Sequence, residues 1–200
     1  VKIGDQWWMA ENLRVTHYQN GDPIPKITND SLWAKKNSGA YCAYNNDESY
    51  AETYGYLYNW YAVNDERNLA PEGWHVPTDD EWKELEKYLG MSHSQAESTD
   101  ALRGTNEGKK LKSTKGWETA DGTNVSGFSA LPGRARYGEE RDGSFYPIYQ
   151  CDAMFWTATE RDYWSAWCRV LWDGYPFIFR NPQNKEYGGS IRLVKNKVKI

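Results

Sequence analysis

The sequence predicts an α+β fold, with helices packed on an antiparallel sheet. Three observations carry that prediction. Residues 71–90, "PEGWHVPTDDEWKELEKYLG", contain one helix with both of its ends marked. Residues 153–180 alternate apolar and polar side chains between short turn signals. The 200 residues include 11 Trp, 15 Tyr and 5 Phe, so a few large rings can build the core of an otherwise polar chain.

The helix is the clearest element. Thr78 followed three residues later by Glu81 forms a capping box, in which each side chain satisfies the other's exposed backbone N–H. Asp79 and Asp80 fall in the first turn, where the helix dipole favours negative charge. Trp82, Leu85 and Leu89 recur at i, i+3 and i+7 and share one face, while Lys83, Glu84, Glu86 and Lys87 point elsewhere. Gly90 stands where a left-handed residue ends a helix. The acid cluster is therefore scaffold. His75 has no nucleophile or orienting acid supplied by a motif and reads as structural. His17 and His93 are isolated.

The remaining elements follow in order. "VKIGDQWWMAENLRV" reads as a short strand, a Gly4-Asp5 turn and an aromatic segment, and "NGDPIP" as a turn followed by extended chain. Tyr54, Tyr56, Tyr58 and Trp60 alternate with smaller residues and predict a half-buried strand. A second helix is expected within 94–104, and 105–117 reads as loop and short extended chain. In the C-terminal half "AMFWTAT" alternates and "ERD" turns. "YWSAWCRVLW" then places Trp164, Ala166, Cys168, Val170 and Trp172 on one face. Asp173-Gly174 makes the next turn, "YPFIFR" follows, and "GGSIRLVK" supplies a last strand. Without internal repeats or linkers, residues 1–200 read as one domain.

Composition narrows the function classes. The net charge is −4, and the most basic stretch, "KKLKSTK" (109–115), is too short for a nucleic-acid groove. No apolar run approaches the roughly 20 residues of a membrane span, and no signal peptide is visible at the start. Cys42, Cys151 and Cys168 lack metal-type spacing, and an odd count leaves at least one free or paired outside the chain. A Cys151–Cys168 bridge stays open beside the plainer reading of buried thiols. "NNDESYAE" (45–52) gathers Asn45, Asn46, Asp47, Glu48 and Glu52, oxygen ligands suited to calcium. It lacks EF-hand spacing, and an acidic surface turn explains it equally well. No catalytic set, metal-ligand set or cofactor is predicted.

Six blocks occur in order: "IGDQWWMAENL" (3–13), "YGYLYNWYAV" (54–63), "PEGWHVPTDDEW" (71–82), "GKKLKSTKGW" (108–117), "GFSALPG" (127–133) and "FWTATE" (155–160). Together they resemble the Fibrobacter succinogenes major paralogous domain family over nearly the whole chain. The resemblance implies a C-type-lectin-like fold, with two helices packed on twisted antiparallel sheets, distantly similar to the formylglycine-generating enzyme superfamily. It also implies a place on secreted proteins and surface lipoproteins of Bacteroidota and Fibrobacterota, with no family-wide activity. Family members commonly carry a cysteine before "PEGW" and another after the Arg of the last strand. Ala70 and Leu193 stand there, as expected if a disulfide had been replaced by apolar packing.

The expected function is non-catalytic binding of an extracellular glycan or peptide, or service as an accessory subunit of an outer-membrane nutrient-uptake complex. Membrane association would come only through a lipid anchor not visible in this chain. An adhesin or structural surface protein is the alternative. Formylglycine-generating chemistry uses a cysteine pair late in the chain, and Cys168 has no close partner in sequence, so an enzyme is not expected. The candidate ligand-binding residues are aromatic. Tyr137, Tyr146 and Tyr149 lie in a Gly- and charge-rich segment that reads as too polar for core, and Tyr163, Trp172 and Tyr175 flank turns read as lying at one end of the hairpins.

Overall fold

The computed structural model describes residues 1–99, 102–147 and 152–197. It is a mixed structure of short helices and antiparallel sheets, in keeping with the α+β expectation. The first half runs β1 (Lys2–Ile3), β2 (Gln6–Trp7), α1 (Asp30–Ala34), β3 (Tyr41–Cys42), α2 (Glu48–Tyr54), β4 (Leu57–Tyr58) and α3 (Trp60–Val63). Next come β5 (Trp74–His75), α4 (Asp79–Tyr88), α5 (His93–Glu97), β6 (Leu102–Arg103) and α6 (Glu107–Leu111). The chain closes with β7 (Asp152–Glu160), β8 (Ser165–Trp172), β9 (Ile178–Asn184) and β10 (Val194–Lys195). The main sheet has the order β6-β9-β8-β7, antiparallel throughout.

Helix α4 forms as its sequence dictates. Thr78 is the N-cap, both halves of the capping box are made, and Gly90 takes φ +118° after the last turn. Trp82, Leu85 and Leu89 are buried against Ala153, Phe155, Leu171 and Ile178 on one face of the main sheet. The second helix, expected within 94–104, is α5 at His93–Glu97, one short turn capped by Ser92, and Leu102–Arg103 is strand β6 instead.

Elsewhere the local reading is corrected. Tyr54–Trp60 is not one strand. Asp47 caps α2, Gly55 ends it at φ +78°, and Asn59 caps α3, leaving only Leu57–Tyr58 extended. These caps are single side chains accepting backbone N–H bonds, and they break up the tyrosine alternation. The 105–117 segment holds α6, whose Gly108 donates its N–H to the Pro176 carbonyl at 2.8 Å. A Cβ at Gly108 would lie 2.3 Å from the Phe177 carbonyl oxygen, so only glycine permits this approach.

The second face of α4 is charged and buried, contrary to the expectation that Lys83 and Glu86 point away from the core. Asp79 is 4% exposed and Glu86 fully buried. Asp79 accepts from Arg169 at 2.7 Å and from Arg180 at 2.7 and 2.9 Å, with the Lys83 ammonium at 3.3 Å. Glu86 accepts from Arg103 at 2.8 and 3.0 Å and from Arg169 at 2.5 Å. The arginines come from β6, β8 and β9. They convert the helix's solvent-type residues into an internal ion network, and Asp79 is a counter-ion as well as a dipole partner.

Residues near the two chain ends pair. Met9 and Leu13 donate to the Leu193 and Ile191 carbonyls, both at 2.9 Å, and β10 pairs with β5. Ala70 and Leu193 are both fully buried in one apolar cluster with Leu69, Val76 and Ile191. The positions expected to have lost a disulfide are thus packed by hydrocarbon.

Candidate ligand-binding face

Strand parity sets the site. The main sheet's second face carries Met154 and Trp156 from β7, Cys168 and Val170 from β8, and Phe179, Asn181 and Gln183 from β9, by the observed register. Near β7 this face is core. Toward β9 it opens, and Val170, Asn181 and Gln183 are half-buried. A cavity of about 90 Å³ lies here, with Met154, Cys168 and Val170 as apolar lining, Asp152, Asn181 and Gln183 as polar lining, and the rings of Tyr146 and Trp172 beside them.

The aromatic rim is pre-set by a buried clamp. Trp172 and Tyr175 flank the Asp173-Gly174 turn, with ring centroids 5.8 Å apart and exposures of 37% and 45%. The Lys112 ammonium, wholly buried, donates to the Trp172 carbonyl at 2.6 Å, the Tyr175 carbonyl at 3.0 Å and the Asp121 carboxylate at 3.1 Å. Burial pulls the Lys112 pKa below its ordinary value, and the Asp121 hydrogen bond opposes this only in part. Thr119 adds a second tie: its N–H and Oγ1 donate to Asp173, and its Oγ1 accepts from the Gly174 N–H. A turn held this way loses little entropy on binding.

Of the six aromatic residues expected to bind, the structure gathers four. Tyr137 and Tyr146 stack at 4.2 Å, Tyr146 and Trp172 line the same cavity, and Tyr175 stands beside Trp172. Tyr137 corrects the expectation for its segment. It is 9% exposed and belongs to the core cluster, with Tyr187 packed edge-on against it. Glycines and charges around it form the outer turn, while the ring points inward. Burial pushes the Tyr146 hydroxyl well above the usual tyrosine value, so it stays a neutral donor. Tyr149 and Cys151 lie outside the described residues.

Tyr163 is elsewhere. It sits in the β7–β8 turn, whereas Trp172 and Tyr175 sit in the β8–β9 turn, at the other end of the eight-residue β8. Successive turns of an antiparallel meander alternate ends, so these sites are about 25 Å apart at ~3.3 Å per residue. The expectation of one common end is therefore corrected. Trp164 also leaves the strand face expected for it: it precedes β8 in the turn and is 70% exposed. Tyr163, at 75% exposure, meets it edge-on at 4.6 Å. Asp162 accepts the Trp164 and Ser165 N–H groups at 2.9 Å, and Lys185 donates to the Tyr163 carbonyl at 2.8 Å.

A family model described as the Fibrobacter succinogenes major domain matches residues 1–195. The chain belongs to that family. No curated protein and no solved structure matches it. The six Fibrobacter succinogenes major domain blocks supply the frame: Asp79 of the ion network, Lys112 of the clamp, and Phe128 packed against Trp8 and Trp82. The lining residues Tyr146, Trp172, Asn181 and Gln183 fall outside those blocks. Asn181 and Gln183 were missed in the sequence. The Asp173-Gly174 hairpin register, which places them opposite Cys168 and Ala166, was the signal that could have found them.

The other candidate groups are engaged structurally. Asp47 accepts from Ser49, Glu48 pairs with Lys26 and accepts from the Tyr56 hydroxyl, and Asn46 donates to the Thr28 carbonyl. Among the described residues no group of three or more His, Cys, Asp or Glu is placed to hold a metal ion. Cys42 and Cys168 are free and buried, and the Cys168 thiol faces the Asn181 carbonyl at 3.3 Å. Burial pushes Cys42 up to about 11 and Cys168 up to about 12, so both stay thiols at neutral pH. Alkylation of the native protein at pH 8, counted by intact mass, is expected to modify at most one cysteine per chain, against three after denaturation. Two or more modified in the native state would contradict the burial.

His75 does have an orienting acid, which the sequence reading did not foresee. Its Nε2 lies 2.9 and 3.0 Å from the two Glu81 oxygens, and its Nδ1 lies 2.6 Å from Asn196 Oδ1. The Thr78 hydroxyl donates to Glu81 and not to His75, so the cluster ties α4 to β5 and the C-terminal segment. The Glu81 hydrogen bond raises the His75 pKa, with burial opposing it. The resulting stabilisation is fully present below the unfolded value of about 6.5 and is lost as pH rises through the higher folded value. Between pH 6 and 9 the wild-type melting temperature is expected to fall more than that of His75→Gln. Parallel curves would remove His75 from the pH dependence.

Proposed function

We propose that this chain is a non-catalytic, surface-exposed domain of C-type-lectin-like fold that captures an extracellular glycan or peptide on the open face of its main sheet. The observation that carries the reading is the cavity between Tyr146 and Trp172, with apolar side chains and amide groups both on its lining. Pyranose rings present apolar C–H faces edged by hydroxyls, and such a surface matches both. A volume near 90 Å³ is well under the roughly 300–1,000 Å³ of a pocket that encloses a small molecule. The ligand therefore lies along the face with one group entering. A non-catalytic role is supported by the buried neutral thiols of Cys42 and Cys168 and by a His75 imidazole whose nitrogens face Glu81 and Asn196 oxygens. No described helix is long and apolar enough to cross a membrane, and attachment to the outer membrane through a lipid anchor is part of the proposal. Mixed glycan and peptide arrays probed with the wild-type protein test the reading. Reproducible signal on one ligand class is expected, and silence on both would count against it.

A second reading, an accessory subunit of an outer-membrane nutrient-uptake complex, is favoured by the Tyr163–Trp164 tip. Two exposed rings on a stapled turn have the composition of an interface hot spot. Affinity purification from gently solubilised source membranes is expected to recover a transporter-type partner, lost in Trp164→Ala. Recovery of the protein alone would leave the ligand-binding reading in place by itself.

A further inference from the structure

Resting on the ligand-binding reading, we propose that the cavity beside Trp172 is an acetamido subsite, and that the ligand class is a neutral glycan containing N-acetylated amino sugars. The size fits first. About 90 Å³ is somewhat over half of the ~150 Å³ cavity that admits benzene, a size close to the four heavy atoms of an acetamido group. A whole sugar ring is too large, and a lone hydroxyl leaves most of the space wet.

The chemistry of the walls fits next. Met154 and Val170 give the methyl an apolar seat. The Asn181 side-chain amide lines the cavity and makes no hydrogen bond among the described residues, and the Gln183 amide lines it beside Asn181. A free amide can either donate or accept, so it can serve whichever edge of another amide is turned toward it. The acetamido group is a trans amide with its N–H and C=O on opposite edges, so Asn181 meets one of them: Oδ1 accepts the N–H, or Nδ2 donates to the carbonyl. A sugar with hydroxyl in place of acetamido can also bond Asn181 but leaves the seat of Met154 and Val170 unfilled.

The position of the ring fits last. The Trp172 indole rests on Phe179, with centroids 3.9 Å apart, and stays 37% exposed. With one face covered and the carbonyl beneath it held by Lys112, the indole is a fixed platform for the pyranose whose acetamido group enters the cavity. That platform favours an amino sugar over an acetylated lysine side chain, which carries no ring to stack.

The test is calorimetry with chitotriose against cellotriose, trisaccharides sharing a β-1,4-linked backbone and differing at C2. Chitotriose is expected to bind at least about ten-fold more tightly, since one accommodated methyl alone is worth about 10- to 200-fold in selectivity. Asn181→Leu is expected to weaken chitotriose more than cellotriose and so to reduce that preference, and Trp172→Ala to weaken both sugars. Saturation transfer to chitotriose is expected to be strongest at the acetyl methyl. Equal binding of both sugars, lost in Trp172→Ala, would overturn the acetamido assignment and leave the glycan face intact. Binding indifferent to both substitutions would overturn the subsite. Binding of neither trisaccharide, with capture of an acetyl-lysine peptide, would overturn the amino-sugar class.

Discussion

Replacing Asp79 with alanine is expected to destabilise the protein by about 3–5 kcal/mol, the usual cost of removing one partner from a buried ion pair. At about 2–4 °C per kcal/mol for a chain of this size, the melting temperature falls by roughly 10 °C. The cause is what remains behind. Arg169 and Arg180 lose the oxygens they hold at 2.7 Å, and Lys83 loses a carboxylate at 3.3 Å. The cost reflects stranded cations rather than a large net gain from the intact network, so a variant replacing Asp79, Arg169 and Arg180 together with hydrocarbon should lose less than the single change. Burial pushes the Asp79 carboxyl up, but hydrogen bonds from Arg180 and the charge of Arg169 outweigh it and hold the group well below the usual range. The contribution is present above the unfolded value of about 3.9 and is lost as pH falls toward the depressed folded value. Urea melts from pH 6 downward should show a decline in the wild type that Asp79→Asn lacks. An Asp79→Ala protein within about 0.5 kcal/mol of wild type, the range of ordinary surface changes, would mean the network holds nothing together.

The second large effect is on binding. Trp172→Ala combined with Tyr175→Ala is expected to reduce affinity for the array-identified ligand by 30-fold or more. A single aromatic hot spot costs about 2 kcal/mol or more when truncated, and this pair forms the rim of the cavity. Stability should fall only modestly, because both rings are more than a third exposed, although Phe179 loses its cover. Tyr137→Ala gives the contrast. That ring is 9% exposed and stacks on Tyr146 at 4.2 Å, and truncating a buried aromatic costs about 3–5 kcal/mol. Isothermal titration and thermal melts on the three proteins separate rim from core. A double variant with undiminished affinity would move the ligand off this face.

Helix α4 was legible because each of its signals is local: Thr78 and Glu81 cap each other, and Trp82, Leu85 and Leu89 repeat at helical spacing. The β7–β8–β9 meander was legible for the same reason, with alternation inside the strands and Asp173-Gly174 between two of them. What escaped depends on residues far apart in sequence. Nothing near Glu86 announces that Arg169, 83 positions on, will neutralise it. Lys112 looks like a solvated charge until its ammonium is found beneath Trp172 and Tyr175. Tyr137 looked exposed because its neighbours are polar, yet its own ring closes the core. The placement of Tyr163 with Trp172 was avoidable, since antiparallel turns must alternate ends. The open face follows once that rule and the hairpin register are applied together.

The central claim is that ligand binds on the sheet face beside Trp172, and ¹⁵N-labelled protein titrated with the array-identified ligand tests it most directly. The expected result is a shift of the Trp172 indole N–H and of the Val170, Asn181 and Gln183 amides, with Tyr163 and Trp164 unmoved. Shifts confined to Tyr163 and Trp164 would contradict it and place binding at the hairpin tip.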